Sequence, residues 1–494
     1  MGGVRTALYN WLFARKHGGT FILRIEDTDA TRFVPGAEAY VVEALKWCGL
    51  TPDEGIGAPN PGPHTPYRQS ERTEGYKKAA DRLLATGWAY RAFDTAEELA
   101  AKRADAESRG ETFQYDAASR MTMRNDLALQ PEEVNALVDQ GVPCVIRFKT
   151  PETAEDIVFE DQIRGEVTVS SHVLDDKVLL KPDGLPTYHL ANVVDDHDMA
   201  ISHVIRGEEW LPSAALHVLL YRALGWAQPA FAHLPLILKP EGNGKLGKRD
   251  GIKGGFPVFP LAWTDPASGD ALMGYREKGY LPEAFLNMLL LLGWSPGDDR
   301  ELFSMEAAAA EFDLNRVVKS GARFNPDKAR WFNEQYLRQT PMADLATMLK
   351  PLLEAADLPS DQTHSLLQLM LERVTFLNEI PATTWLFEAP TSFDEKLIRK
   401  KWKDETAGYI LAVRDKLAAL SDFNAEAIET AFKSYLEAEG LGFGAVLLPL
   451  RIVLTGIGGG PSMFAFAAYL GQTETLHRID HGLQTIAGMR ALAH

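Results

Sequence analysis

A helix that runs directly into a short apolar strand constrains the fold of this chain most. Apolar residues recur at helical spacing over residues 5–15, a glycine pair ends the helix, and strand-like residues 21–25 follow at once. An acidic turn and a second helical pattern over residues 36–48 come next. This alternation predicts an α/β domain built on a parallel sheet.

The chain begins almost at the N-terminus of that first helix. A doubly wound sheet normally opens with a strand whose carboxyl end leads into the first helix, yet only Met1 stands before the glycines Gly2 and Gly3. We therefore expect the chain as written to lack a central strand. We also expect it to be poorly folded or nearly inactive, because catalytic groups that act together fail together.

The remaining patterns divide the chain into regions. The α/β alternation is interrupted after about residue 83 and returns near Val204. From about Pro326 the pattern is helical, and we interpret apolar stripes such as that of Leu345 and Leu349 as the core of a helical bundle. A length of 494 residues suffices for about three domains.

Composition excludes several classes of protein. The net charge of -17 argues against a protein that coats nucleic acid without specificity, although local basic patches can still bind phosphates. Cys48 and Cys144 are the two cysteines and lie far apart, which excludes a disulfide framework and a zinc ribbon and fits a reducing compartment. The longest apolar stretches, residues 285–294 and 445–457, are shorter than the roughly 18 residues that span a bilayer. We expect a soluble, cytoplasmic protein with no membrane attachment.

A basic, glycine-rich loop over residues 239–251 is the first candidate for chemistry. Residues 242–248 fit the spacing of a phosphate-binding P-loop, but Arg249 stands where that motif needs Ser or Thr, and no helical pattern follows. We reject the P-loop. Lys245, Lys248 and Arg249, which lie among glycines, can still neutralise a triphosphate. Loop composition alone leaves a solvated charged loop open as the alternative.

Six segments in order carry a resemblance to a known family. They closely resemble bacterial glutamyl-tRNA synthetases, which are class I aminoacyl-tRNA synthetases, and KLGKR resembles the KMSKS loop of that class. The segments are RTALYNWLFAR at 5–15, FILRIEDTD at 21–29, PYRQSER at 66–72, PTYHLANVVDDH at 186–197, VIRGEEW at 204–210 and KLGKR at 245–249.

The resemblance implies an α/β plus all-α architecture. The Rossmann-like catalytic domain is expected at residues 1–83 and 188–240, interrupted by an inserted connective, acceptor-binding domain at 84–187. A KMSKS-type loop and stem-contact region is expected at 241–325, and a helical anticodon-binding domain at 326–494.

The resemblance also assigns the substrate glutamate to four residues. Glu26, after a strand of the sheet, would receive the α-amino group, and Tyr188, Asn192 and Arg206 would bind the carboxylates. An arginine suits that role because its planar group binds a carboxylate through two hydrogen bonds. Taken alone, Arg206 could instead only pair with Glu208.

ATP and the anticodon are assigned in the same way. Lys245, Lys248 and Arg249 are the expected catalytic residues, which stabilise the triphosphate and the departing pyrophosphate. Arg373 matches the position that reads the third anticodon base. The expected ATP-binding residues are Gly2, Gly3, Glu209, Trp210, Leu236, Ile237, Lys245 and Lys248.

No metal site on the protein is expected. The acidic residues 195–198 are interpreted as a loop and not as a metal cluster, since a lone short cluster is weak support for a metal. The region 84–187 lacks the cysteine cluster with which some relatives bind zinc, so we predict no zinc.

The sequence departs from the family at two places. Family members carry, ahead of their first glycines, a strand and a segment with an arginine, a serine and a histidine; we hypothesise that Met1 is an internal codon taken as the start. Gly247 stands where serine is usual, and the lost hydroxyl should loosen the loop.

The reaction implied joins L-glutamate to tRNA(Glu) with ATP and Mg²⁺ through a glutamyl-adenylate, and we expect a monomer. Whether tRNA(Gln) is also a substrate stays open. Two other functions remain: a catalytically silent, truncated tRNA-binding paralogue, and the glutamyl-Q tRNA(Asp) synthetase. The long helical C-terminal half argues against the last, which has no anticodon-binding domain.

Overall fold

The computed structural model describes residues 1–29, 33–266 and 268–492. The chain forms two compact units. The first consists of Met1–Glu277 and Phe285–Pro326, and the second of Lys278–Ala284 and Asp327–His494.

Nineteen α-helices and thirteen strands are described, besides short 3-10 helices. The helices are α1 Gly2–His17, α2 Ala37–Trp47, α3 Thr73–Ala85, α4 Ala96–Ser108, α5 Pro131–Asp139, α6 Tyr188–Asp198, α7 Leu211–Leu224, α8 Lys248–Gly254, α9 Tyr275–Lys278, α10 Pro282–Leu291, α11 Met305–Glu311, α12 Pro326–Gln339, α13 Met342–Ala355, α14 Thr363–Met370, α15 Glu395–Lys401, α16 Thr406–Ala418, α17 Ala425–Glu439, α18 Phe443–Thr455 and α19 Met463–Leu492. The strands are β1 Ile22–Leu23, β2 Glu54–Gly55, β3 Ala89–Ala92, β4 Val145–Phe148, β5 Asp156–Asp161, β6 Gly165–Ser170, β7 Val178–Leu180, β8 His203–Gly207, β9 Ala230–Leu234, β10 Ile237–Leu238, β11 Trp263–Thr264, β12 Ala271–Leu272 and β13 Ala322–Arg323.

A four-stranded sheet in the order β6-β5-β9-β8 organises the first unit. Strands β5, β9 and β8 run parallel, and β6 joins as an antiparallel hairpin partner of β5. The apolar faces of α3, α6 and α7 share one core with this sheet, where Leu83, Val193, Leu219 and Phe231 are buried. The predicted α/β class of the first part of the chain is confirmed.

The predicted first helix and strand are present as α1 and β1. Gly18 ends α1 in the left-handed conformation (φ 64°), which a residue with a side chain rarely adopts. Strand β1 pairs with β2, whereas β8 belongs to the four-stranded sheet. Residues of α1, β1 and β8 line a cavity of about 640 Å³.

The region predicted as an insertion contains a three-stranded antiparallel sheet in the order β3-β4-β7. Strands β5 and β6 fall within the same stretch of sequence but pair in the sheet of β8 and β9. The domain boundaries at residues 84 and 187 stay a prediction.

The second unit is helical, as predicted. The apolar stripes are buried: Leu345 and Leu349 on α13, and Ile410 and Val413 on α16, are at most 1% exposed. Helix α19 is interrupted at Gly471, whose backbone (φ 77°, ψ 167°) is not helical. In the described part of the chain, no helix combines the length and apolar character needed to cross a membrane.

Candidate active site

The predicted glutamate-binding residues line one cavity at the carboxyl end of β8. The cavity has a volume of about 350 Å³, and its wall includes all four of them: Glu26, Tyr188, Asn192 and Arg206. Tyr188 and Asn192 lie one turn apart on α6, and Arg206 is the penultimate residue of β8. Parallel α/β sheets bind ligands outside the carboxyl ends of their strands, so the cavity has the position expected of a substrate site.

Arg206 is a buried cation whose hydrogen bonds run to neutral groups. It is 8% exposed, and it donates from Nε to His233 Nε2 at 3.1 Å and from Nη1 to the Tyr188 hydroxyl at 2.8 Å. In the stretches that the structure describes, no carboxylate forms an ion pair with it; the alternative pairing with Glu208 is wrong, because Glu208 pairs with Arg164. A buried guanidinium that forms no ion pair with a carboxylate is suited to bind an anion.

The Tyr188 hydroxyl retains its own proton for a ligand. Its oxygen accepts hydrogen bonds from Arg206 at 2.8 Å and from Asn192 Nδ2 at 3.1 Å. Two accepted bonds use both lone pairs, so the O–H group remains available as a donor. Asn192 is itself held by Arg24, which donates to its Oδ1 at 2.7 Å.

Glu26 places a carboxylate at the border of the cavity. Its side chain is 45% exposed and lies 3.6 Å from the Arg24 guanidinium. Desolvation raises the pKa of Glu26, Asp196 adds to that rise, and Arg24 opposes it. An anionic group beside the cavity can receive an ammonium group of a ligand.

The acidic residues 195–198, predicted to form a loop, lie on helix α6, so that prediction is wrong. Asp195 accepts hydrogen bonds from Arg72 and Tyr76, and Asp196 pairs with Arg24 at 3.1 Å. Their charges therefore join α6 to β1 and α3 and keep Arg24 in place. Among the described residues, no group of three or more His, Cys, Asp or Glu side chains could hold a metal ion.

The predicted ATP-binding residues line a second cavity of about 770 Å³. Arg24, Glu26, Arg206 and Trp210 border both cavities, so the two adjoin. Arg249, a predicted catalytic residue, is exposed on α8 and is not in this wall. The predicted residues in the wall are Gly2, Gly3, Glu209, Trp210, Leu236, Ile237, Lys245 and Lys248.

Lys245 and Lys248 of the basic loop are both paired with carboxylates. Lys245 Nζ lies 2.7 Å from Glu209, and Lys248 Nζ lies 3.1 Å from Asp265 and 3.9 Å from Asp270. Burial alone would raise the pKa of Glu209, but the hydrogen bond and charge of Lys245, a backbone hydrogen bond and the charge of Arg5 together outweigh burial, and the pKa is lowered. The lysines are at least one-third exposed, so a triphosphate can replace these carboxylates.

A helix follows the basic loop, which corrects the prediction of none. Helix α8 begins at Lys248, and Asp250 Oδ2 accepts the backbone N–H of Gly247 at 2.9 Å. The glycines of α8 weaken its helical pattern, yet Gly251 is needed: a Cβ there would lie 2.8 Å from the Phe256 carbonyl oxygen. Close packing therefore explains why a glycine stands inside a helix that periodicity does not predict.

Arg373, predicted to read the anticodon, lies in the second unit. It is exposed at the end of the 3-10 helix Leu371–Arg373. Burial lowers the pKa of Arg451, and the nearby charge of Arg373 lowers it further. Arg373 therefore presents an exposed positive charge, which suits contact with RNA phosphates.

Three residues of the site were missed by the sequence analysis. Arg24 borders both cavities, and Asp161 and His233 form a buried pair behind Arg206. The available signal was a histidine within the apolar run at residues 230–238, but its partner lies 72 positions away. Sequence spacing does not reveal such a contact.

The chain is similar to known proteins over nearly its whole length. The catalytic-domain family of class I tRNA synthetases (E and Q) matches residues 1–331, and an anticodon-binding-domain family matches residues 344–483. Glutamate–tRNA ligases of Phocaeicola vulgatus and Bacteroides fragilis are each 52% identical over 492 residues, 98% of this chain and 96% of each relative. The crystal structure of a glutamate tRNA ligase from Elizabethkingia meningosepticum, in complex with its amino acid, matches with a TM-score of 0.94 and 50% identity, over 98% of this chain and 96% of that chain.

Proposed function

The chain belongs to the class I tRNA synthetases of the glutamate and glutamine type, and on that premise we propose that it is a glutamate–tRNA ligase. The observation that carries the proposal is the adjoining pair of cavities. One presents Arg206, which forms no ion pair with a carboxylate of the described residues, and the other presents Lys245 and Lys248. An amino acid carboxylate and a nucleoside triphosphate can thus meet where the two cavities share a border.

The proposed reaction has two steps. An oxygen of the glutamate α-carboxylate attacks the α-phosphorus of ATP, and the bond to pyrophosphate breaks, which leaves glutamyl-adenylate. A hydroxyl of the 3'-terminal adenosine of tRNA then attacks the acyl carbon, and AMP leaves. The protein contributes positioning and charge stabilisation, the two effects that dominate phosphoryl and acyl transfer of this kind.

Glutamate binding rests on three side chains. Arg206 and the free O–H of Tyr188 donate to a carboxylate, and Glu26 receives the ammonium group. A site that presents a buried cation selects glutamate over glutamine, because the neutral amide would leave that charge uncompensated.

ATP binding rests on the second cavity. The wall holds Gly2 and Gly3 in the first turn of α1, where an added Cβ would meet nothing within 4 Å, so the backbone there is open to a ligand. Lys245 and Lys248 exchange their carboxylate partners for the phosphates. Mg²⁺ would be bound together with the triphosphate. Arg249 lies outside this cavity wall, so the loop would have to move before Arg249 could contact the triphosphate.

Recognition of tRNA(Glu) is assigned to the helical region. The anticodon-binding family covers residues 344–483, which include Arg373. We assign the reading of the third anticodon base to Arg373, and we propose a cytoplasmic monomer. The same match does not favour a glutamyl-Q tRNA(Asp) synthetase, the paralogue without an anticodon-binding domain.

Exchange of radiolabelled pyrophosphate into ATP tests the proposal. The reaction contains the chain, Mg²⁺ and tRNA(Glu), with glutamate, glutamine or aspartate supplied separately. Any exchange should depend on glutamate, and neither glutamine nor aspartate should replace it. Exchange that depends on another amino acid, or that proceeds without any, would contradict the proposal.

A further inference from the structure

A buried row of three side chains crosses three neighbouring strands behind the glutamate cavity. Asp161 ends β5, His233 lies on β9, and Arg206 lies on β8. Arg206 and His233 are direct neighbours in the parallel register. The side chains of Asp161 and His233 are 0% exposed, so neither touches a ligand.

The Asp161 carboxylate is fully occupied as an acceptor. Oδ1 accepts the backbone N–H groups of Ile163 at 3.0 Å and Arg164 at 2.8 Å, and Oδ2 accepts the backbone N–H of His233 at 3.1 Å. Oδ2 also lies 2.6 Å from His233 Nδ1. Burial alone would raise the pKa of Asp161, but these hydrogen bonds outweigh it and the pKa is lowered. Asp161 is therefore an anion that can only accept.

An acceptor at Nδ1 determines the proton on the His233 ring. Nδ1 must carry a hydrogen that it donates to Asp161. The other nitrogen, Nε2, lies 3.1 Å from Arg206 Nε, which is always a donor, so Nε2 must be bare. His233 is thus neutral, and burial lowers its pKa in agreement with that state.

We propose that Asp161 and His233 are positioning residues. Asp161 holds His233 in the tautomer with a bare Nε2, and His233 in turn orients Arg206 for the substrate carboxylate. The identity of the ligand as glutamate rests on the proposed function. The bond from His233 anchors the Nε edge of the guanidinium. Tyr188 and the carbonyl of Trp210, the latter at 3.3 Å from Nη2, hold the outer nitrogens.

Neutral partners suit this task better than a carboxylate. A carboxylate beside Arg206 would neutralise it and compete with the substrate, whereas a neutral imidazole fixes direction and leaves the charge for the ligand. The negative charge of Asp161 is kept one residue further away. The row resembles the way in which outer carboxylates orient histidines at other sites.

Asp161→Asn is the first test, because it preserves the shape of the side chain and should move the His233 ring proton from Nδ1 to Nε2. The amide can donate to Nδ1, which moves the ring hydrogen to Nε2, where it faces the Arg206 donor. We expect the KM for glutamate to rise roughly tenfold to 100-fold, the loss typical of one hydrogen bond to a charged group. The KM for ATP should change less than about twofold.

Two amides at position 233 separate the two hydrogen bonds. In His233→Gln the amide oxygen can replace Nε2 as the acceptor for Arg206, whereas in His233→Asn the amide nitrogen can replace only the donor to Asp161. Glutamate affinity should therefore survive better in His233→Gln than in His233→Asn. His172→Gln, at an exposed histidine of the first unit, is the matched control.

Proton–nitrogen correlation spectra of histidine-labelled chain give a readout that needs no activity. The His233 signal, assigned by its loss in His233→Gln, should show a protonated Nδ1 and a bare Nε2, and Asp161→Asn should reverse them. A protonated Nε2 in the unmodified chain, or an unchanged KM for glutamate in Asp161→Asn, would overturn the inference. If the unmodified chain shows the expected His233 tautomer but no glutamate-dependent pyrophosphate exchange, the proposed function fails, and the orientation of Arg206 by His233 is supported.

Discussion

Replacing Tyr188 by phenylalanine removes one oxygen and should weaken glutamate use selectively. That oxygen accepts from Arg206 at 2.8 Å and from Asn192 at 3.1 Å, and its proton is the donor left for the ligand. A hydrogen bond to a charged group contributes roughly 1.5–3 kcal/mol, and tenfold corresponds to about 1.4 kcal/mol. The kcat/KM for glutamate should therefore fall roughly tenfold to 150-fold.

Pyrophosphate exchange at varied glutamate and varied ATP measures this effect. Tyr221→Phe is the matched control, because the Tyr221 hydroxyl is buried and has no hydrogen-bond partner among the described residues. Its removal leaves no donor unpaired, so kcat/KM should change less than about twofold. The reasoning would be refuted by equal losses in both variants, or by a Tyr188→Phe variant with unchanged glutamate kinetics.

Three further changes test other parts of the structure. Because desolvation raises the pKa of Glu26 above its ordinary value of 4.5, Glu26 loses its charge at a higher pH than a solvated glutamate does. The KM for the substrate glutamate should therefore rise as the pH falls towards that range. In a Glu26→Gln variant this KM should be high and independent of pH. The buried Arg120 lies 2.9 Å from Asp176, and Asp176→Asn would remove this countercharge. The substitution should therefore lower the free energy of unfolding by about 3 to 5 kcal/mol. Unfolding in urea would measure that difference. The side chain of a Gly247→Ser variant should fit, because its Cβ would lie 3.6 Å from Asp250. A serine cap should stabilise the start of α8 by a few tenths of a kcal/mol, which corresponds to less than about twofold in a rate. A change of kcat/KM for ATP beyond about twofold would therefore contradict this estimate of the stabilisation.

Local sequence patterns predicted those helices and strands that are determined by residues close together in the sequence. Helix α1 with its Gly18 stop and the apolar stripes of the second unit follow from spacing and from one glycine conformation. The class I fold is confirmed by the family matches, and it followed from ordered motifs. Each helix signal and each single motif lies within one short window of sequence, whereas the order of the motifs extends over residues 5–249.

Tertiary contacts explain the failures. Helix α8 was rejected because its glycines weaken the helical pattern, yet Gly251 packs where no side chain fits. Asp195 and Asp196 lie in a helix, where Arg72, just before α3, and Arg24, just after β1, compensate their charges. His233 was missed because its importance depends on a strand neighbour, Arg206, 27 positions away.

The most direct test of the central claim is the transfer of radiolabelled glutamate to purified tRNA(Glu). It should be run on this chain with ATP and Mg²⁺ present. A glutamate–tRNA ligase should form glutamyl-tRNA(Glu) in proportion to enzyme. No transfer by this chain, with tRNA(Glu) still bound, would contradict the account and identify a silent tRNA-binding protein.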